Sequence, residues 1–263
     1  MTPGAAFRFN VLRKKAAFTL AEVLITLGII GIVAAMTLPT LISDYSHKEL
    51  ETRFKKSYSI LWNVHTRMVN DYDGVYRNFI LSNNNTSGDT TNILNLKYKQ
   101  IEAFGKYFNG ANLCDYSNAY VSCSTGGVSV SYLTYDGKRE AWFIGDAVTD
   151  KCIITSDGMA FFFGNITYRN ARIYIDTNGP SKKPNRLGFD LFAFDIDSDD
   201  RIVPAQNVGT GVKDDDGNPI SATNTCSLMN ASNPYNGFGC SKYALADINP
   251  DDDSKNYWNS LPK

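Results

Sequence analysis

Apolar residues run almost unbroken from Phe18 to Ile42 (FTLAEVLITLGIIGIVAAMTLPTLI), with Glu22 the one charged side chain and Pro39 near the end. A stretch of about 25 such residues is long enough to cross a bilayer as one tilted helix. The pattern then changes. Leu50, Phe54, Tyr58, Leu61, His65, Met68 and Tyr72 recur every three or four residues, while Lys48, Glu49, Glu51, Arg53, Lys55 and Lys56 take the other side. That spacing is the signature of an amphipathic helix. The two patterns together predict a single helix from Phe18 to about Tyr72, apolar all round over 18–42 and one-sided over 43–72. Glu49–Arg53 and Glu51–Lys55 stand four apart in the favourable order, so each can form an ion pair along the helix.

Past Asp71 the chain turns polar (DYDGVYRNFILSNNNTSGD), and its Asn run and Gly88 predict an exposed loop. Residues 92–108 predict a second helix through Ile93, Leu94, Leu96, Ile101, Phe104 and Phe108. Beyond it the runs are short and rich in β-branched and aromatic residues: Val128–Tyr135, Glu140–Ile144, Lys151–Thr155, Met159–Phe163, Ala171–Asp176 and Leu191–Ile196. Asp136-Gly137 and Asp157-Gly158 predict hairpin turns. The expected fold class is α+β, an antiparallel sheet packed on the one-sided half of the long helix.

Charge orients this arrangement. Arg8, Arg13, Lys14 and Lys15 precede the apolar run, which places the N-terminus in the cytoplasm by the positive-inside rule and the body across the membrane. A carboxylate inside a spanning segment is costly and usually has a partner, so Glu22 asks for one.

The string RKKAAFTLAEVLITLGIIGI supplies an explanation. AFTLAE, with a basic leader before it and an aliphatic run after it, resembles the processing site of type IV prepilins and type II secretion pseudopilins. The resemblance implies that prepilin peptidase cuts between Ala17 and Phe18, that Phe18 becomes a methylated N-terminus, and that Glu22 pairs with the terminal amine of Phe18 on a neighbouring subunit during assembly. The family's usual Gly before the cut is Ala17 here, the next smallest side chain. Gly31 and Pro39 match the family's Gly and helix-kinking Pro. The implied layout is a leader over 1–17, a membrane and filament-core helix over 18–42, an amphipathic continuation over 43–72, and a periplasmic or extracellular pilin head over 73–263. The implied protein is a single-pass bacterial inner-membrane subunit of a type IV pilus-like or type II secretion pseudopilus filament. Its implied partners are copies of itself or co-assembling pilins, the peptidase and an inner-membrane assembly platform. A secretory signal peptide cut near Ala34–Thr37 is the competing reading; its core would be long, and it leaves Glu22 unexplained.

Composition fits an extracytoplasmic head. The chain has 26 basic and 27 acidic side chains; losing the four basic residues of the leader leaves 22 against 27, with no clustered Lys/Arg surface of the kind nucleic acid requires. All five cysteines lie beyond the apolar segment, where an oxidising periplasm permits disulfides. Cys114 with Cys123 and Cys226 with Cys240 would close two short loops, leaving Cys152 over, although five cysteines allow other pairings. A C-terminal disulfide loop is also common in type IV pilins. No Cys/His spacing points to zinc.

The segment DTNGPSKKPNRLGFD (176–190) gathers Asp176, Asn178, Asn185 and Asp190 around two glycines. These are hard oxygen ligands suited to Ca²⁺, and some pseudopilins hold such an ion in their sheet domain. The alternative is an Asx-rich turn that caps its own backbone. Asp195, Asp197, Asp199 and Asp200 begin like an EF-hand, but the run lacks the central Gly and reaches Gln206 where a Glu is needed; it reads as a solvated loop, as do Asp214–Asp216 and Asp251–Asp253. No cofactor is required by this reading. Enzyme activity is not expected: the chain has two histidines, His47 and His65, both on the long helix, so a Ser-His-Asp or Cys-His site in the head would lack its base. A DNA-uptake or adhesive pilin, with Tyr168–Arg172 or Lys182–Arg186 as contact surface, and a tethered receptor that never polymerises remain as alternatives.

Overall fold

The computed structural model describes residues 19–71, 101–117, 120–123, 126–141, 151–166, 171–197, 199–205, 225–229 and 233–262. The chain divides into two compact units, residues 1–45 and 46–263. Helix α1, Leu20–Asp71, gives its first part to one unit and the rest to the other. Large apolar side chains from Leu20 to Ile42 are exposed, and by length and composition the helix can cross a membrane.

In the second unit α1 buries Leu50, Phe54, Ser57, Leu61, Val64, His65 and Met68. From Leu50 to Met68 the stripe is the expected one, except that Ser57 and Val64 join it and Tyr58 is half-buried; its last expected member, Tyr72, lies outside the described residues. The ion pairs form as the spacing predicts: Glu49 with Arg53 at 2.8 Å and Glu51 with Lys55 at 2.5 Å, joined by Lys48–Glu51 at 2.8 Å. Residues 101–107 form α2, which buries Ile101 and Phe104; the earlier part of the predicted 92–108 helix lies outside the described residues.

Among the described residues eight strands form one antiparallel sheet: β1 Asn112–Ser117, β2 Tyr120–Cys123, β3 Gly126–Ser129, β4 Lys151–Ile154, β5 Ala160–Ile166, β6 Ala171–Asp176, β7 Leu191–Ile196 and β8 Ile202–Pro204. Their spatial order is β3-β2-β1-β4-β5-β6-β7-β8. Alternate positions serve opposite faces. Ile153, Phe161, Phe163, Ile173, Ile175, Phe192 and Phe194 pack with the α1 stripe and with Trp258, whereas Cys152, Ala160, Phe162, Tyr174 and Ala193 form a second cluster with Cys114, Tyr132 and Phe238. With both faces covered, the central strands read as near-continuous apolar runs. Phe54 centres the first layer, its ring 4.4 Å from Phe192 and 5.2 Å from Trp258.

Two strand expectations need correction. Of Val128–Tyr135, only Val128 and Ser129 belong to a strand, β3; the rest is a loop whose Val130 and Tyr132 join the second cluster and whose Tyr135 joins the first. Its backbone bonds go to other loops: Leu133 N–H donates to Asn185 C=O at 2.9 Å, and Tyr135 N–H to Asn236 C=O at 2.8 Å. Glu140 makes only an isolated bridge to Leu133, closing a hairpin about Asp136-Gly137, and 142–144 lie outside the described residues. The Asp157-Gly158 turn joins β4 to β5, with Gly158 N–H donating to Thr155 C=O at 2.9 Å. Near the C-terminus, helix α3, Cys240–Ala246, begins at a disulfide from Cys240 to Cys226.

Candidate functional site

Ala17 and Phe18 lie outside the described residues, which begin at Thr19. Thr19 and Glu22 form a reciprocal capping box on α1. Thr19 N–H and Thr19 Oγ1 each donate to Glu22 Oε2 at 2.8 Å, and Glu22 N–H donates to Thr19 Oγ1 at 3.2 Å. The first N–H groups of a helix have no partner within it, and its N-terminus attracts negative charge, so Thr19 and Glu22 finish the helix and hold each other. Oε2 carries both bonds from Thr19, and Oε1 makes none among the described residues. Thr19 is a functional position that the resemblance does not single out, although TLAE (19–22) carries the T-x-x-E signature of a capping box.

Farther along, Pro39 lies inside α1, where its missing N–H leaves a carbonyl one turn back without its usual donor. Hydroxyls crowd this stretch: Thr37 Oγ1 donates to Val33 C=O at 2.9 Å and Thr40 Oγ1 to Thr37 C=O at 2.9 Å. Such back-bonding bends helices. Gly31 meets no neighbour that an added Cβ would touch.

These positions fall within a motif of known kind. Residues 12–38 match the prokaryotic N-terminal methylation motif, the signature of type IV pilin and pseudopilin precursors. The chain carries a prepilin-type N-terminal segment. That segment includes Ala17, Phe18, Glu22 and Gly31 and stops one residue before Pro39. No curated protein and no solved structure matches the chain.

Past the prepilin-type segment, in the second unit, loop 176–190 brings its four expected residues together. Asp176 and Asp190 have no solvent exposure, and Asn178 is 6% exposed. Asp176 Oδ1 accepts from Asn178 N–H at 3.2 Å and Gly179 N–H at 2.7 Å, while Oδ2 accepts from Tyr132 Oη at 2.6 Å. Asp190 Oδ1 accepts from Arg186 N–H at 2.6 Å and Oδ2 from Asn185 N–H at 2.7 Å. The amides cross-brace the loop, Asn178 Nδ2 donating to Lys183 C=O and Asn185 Nδ2 to Pro180 C=O, each at 3.1 Å. Asn185 has φ +49°, a left-handed position an Asn tolerates.

This much is a self-capped Asx loop. Two features exceed it. No cationic side chain forms an ion pair with Asp176 or Asp190 among the described residues, and burial pushes both carboxyls well above the usual range, Asp176 further through its proximity to Asp190. The buried amide oxygens Asn178 Oδ1 and Asn185 Oδ1 also lack a hydrogen-bond partner. Two carboxylates and two free amide oxygens are hard donors of the kind Ca²⁺ takes, short of its full complement of six to eight unless backbone or water adds the rest. No group of three or more His, Cys, Asp or Glu side chains arranged for a metal occurs among the described residues.

The remaining candidates separate. Asp197 caps the β7–β8 turn, accepting from Asp199 N–H at 2.9 Å and Arg201 N–H at 3.0 Å. His65 is buried under this turn and its Nε2–H donates to Asp200 C=O at 2.6 Å. Cys114 is disulfide-bonded; the side chain of Cys123, its expected partner, lies outside the described ones. Cys152 is a free buried thiol.

Proposed function

We propose that the chain is a structural subunit of a type IV pilus-like or type II secretion pseudopilus filament. In this reading prepilin peptidase cuts between Ala17 and Phe18, and Phe18 is methylated. The observation that carries the reading is the prepilin-type segment opening a helix whose apolar first part is exposed and whose later part is buried against a sheet. The leader stays in the cytoplasm, the helix crosses the inner membrane once, and the head lies in the periplasm until an assembly platform moves the subunit into a filament of like or co-assembling pilins. Glu22 keeps its cap through Oε2 and offers Oε1 to the Phe18 amine of a neighbour. In a dry filament core an unpaired carboxylate is costly, and the pairing offsets that cost only in correct register.

The head's work in this reading is structural, not catalytic. We assign Asp176, Asn178, Asn185 and Asp190 as the protein's share of a Ca²⁺ site that neutralises two buried carboxylates and fixes the loop; the orphan amide oxygens are the support for it.

Intact mass and N-terminal sequencing of the protein extracted from membranes test the main proposal. A mature chain beginning at methylated Phe18 is the expected result. A chain beginning at Met1, or cut after the apolar run, would return the protein to the tethered or secreted classes.

A further inference from the structure

Three cysteines fall on neighbouring strands. β1 lies between β2 and β4 in the sheet, and its Cys114 stands in register with Cys152 of β4. On its other side β1 pairs with β2 through Asp115↔Ser122 and Tyr116↔Val121. The same antiparallel register, carried one step further, sets Cys114 opposite Cys123, the last residue of β2. Register partners project from one face of a sheet. Their Cα atoms stand about 4.5–5.5 Å apart, within the roughly 4.4–6.8 Å that a disulfide spans. Cys114 and Cys152 are both buried in the apolar cluster on the face opposite α1. Cys114 is already in a disulfide, whereas Cys152 is a free thiol.

We propose that Cys114 has two exchangeable partners, Cys123 on β2 and Cys152 on β4, so that the covalent strap at this edge of the sheet can move from one strand pair to the next. The step is a thiol–disulfide exchange. The Cys152 thiolate attacks Cys114 Sγ; the Cys114–Cys152 bond forms as the Cys114–Cys123 bond breaks. Cys123 leaves as a thiolate and takes up the proton that Cys152 gave. No electron is gained or lost, so neither oxidant nor reductant is consumed.

The two states differ mechanically. A strap from 114 to 123 closes only the β1–β2 hairpin at the edge, whereas one from 114 to 152 ties that hairpin to the centre of the sheet. The longer closed loop also removes more freedom from the unfolded chain. Burial decides when the strap moves. The apolar surroundings push the Cys152 thiol up to about 12, and the thiolate is the attacking form, so the closed native sheet holds whichever bond it has. Exchange belongs to moments when the β3-β2-β1 side of the sheet opens, during folding or under load.

The test uses the full chain, purified in detergent from an oxidising compartment and held in moderate denaturant with a trace of reduced glutathione. Samples are quenched by alkylation and digested without reduction, and the linked peptides are identified by mass. Wild type should yield both the Cys114–Cys123 and the Cys114–Cys152 peptides. Cys123→Ser should yield Cys114–Cys152 as its main linkage, and Cys152→Ser only Cys114–Cys123. Cys114→Ser should leave Cys123 and Cys152 both alkylated, since β2 and β4 are about two strand spacings, roughly 9.6 Å, apart. A wild type that keeps only the Cys114–Cys123 peptide overturns the proposal, as does a folded Cys123→Ser protein with Cys114 and Cys152 both free. If Cys123→Ser does not fold, the wild-type redistribution decides alone.

Discussion

At Glu22 two demands meet on one side chain. The carboxylate closes the capping box with Thr19 inside its own chain, and the proposed assembly asks it to receive an amine from another. The two are compatible because a carboxylate accepts up to about four hydrogen bonds and Thr19 takes only one oxygen. Thr19 is then a positioning residue, holding Glu22 in the rotamer that faces a neighbour. Thr19→Ala should lower filament yield while membrane insertion stays intact, and Glu22→Ala should lower it further, read by comparing sheared filaments with the membrane fraction. Wild-type filament yield from Thr19→Ala would leave Glu22 to be oriented by something else. His65 poses a second problem at this scale, because burial holds its imidazole below its ordinary range, partly opposed by its bond to the Asp200 carbonyl and by the charges of Asp200 and Asp197. A histidine with a lowered folded value binds fewer protons folded than unfolded, so stability falls as pH drops through and below about 6.5. The raised Asp176 and Asp190 carboxyls act in the opposite sense over the same range, so the His65 contribution is read as a difference: between pH 7 and pH 5 the Tm of wild type should fall relative to that of His65→Gln, and an equal change in both proteins would place the acid sensitivity elsewhere.

At the scale of elements, the head is held by one buried helix face against one sheet face. Phe54 has no solvent exposure and touches the rings of Phe192, Phe194 and Trp258. Phe54→Ala should cost about 3–5 kcal/mol, roughly 6–20 °C in Tm for a head of this size, measured by circular dichroism on the full chain. A shift of only a degree or two would mean that α1 is not pinned there. This layer was legible in the sequence because periodicity and burial agree. The α1 stripe repeats every three or four residues, and β4 to β7 are rich in β-branched and aromatic residues, with Gly158 in the β4–β5 turn and Gly179 and Gly188 in the β6–β7 loop. The β1–β3 edge was not legible: NLCDYS, YVSC and GGVS carry few β-formers, and their pairing comes from neighbouring strands rather than from local preference. The three-residue β8 is too short for any period to show. Val130–Tyr135 misled in the other direction. It alternates like a strand because Val130, Tyr132 and Thr134 are buried and Ser131 and Leu133 exposed, yet its hydrogen bonds go to loops, a choice set by residues far along the chain. The calcium candidates were visible as an Asx cluster, whereas Tyr132, bonded to Asp176 from 44 residues away, had no local signal.

For the head as a whole, loop 176–190 reaches α1 through one intermediate. A Cβ on Gly179 would sit 2.0 Å from the carbonyl oxygen of Gly158, so the loop and the β4–β5 turn touch where only glycine fits, and Gly179 has φ +90°. The same turn carries Asp157, whose Oδ2 meets Lys56 Nζ of α1 at 2.5 Å. The loop also braces the second face through Tyr132 and Asp176. An ion at Asp176 and Asp190 would therefore remove a repulsion between two buried charges and tighten contacts running to both faces of the sheet. A ligand that binds only the folded state at about 100 times its Kd adds about 2.7 kcal/mol, and for this size that is roughly 5–10 °C. Adding Ca²⁺ to chelator-treated full-length protein should raise Tm by that order, and chelator should reverse it. Mg²⁺ should do less, because its small octahedral shell tolerates few amide oxygens. Asp176→Asn keeps Oδ1 for Gly179 N–H and gives up Oδ2, the acceptor for Tyr132 Oη–H; it should abolish the rise and, by relieving the repulsion, bring the Tm without Ca²⁺ above that of wild type, and Asp190→Asn gives a second reading of the same balance. If millimolar Ca²⁺ moves neither wild type nor these variants, the loop is a self-capped turn and the orphan amide oxygens belong to water.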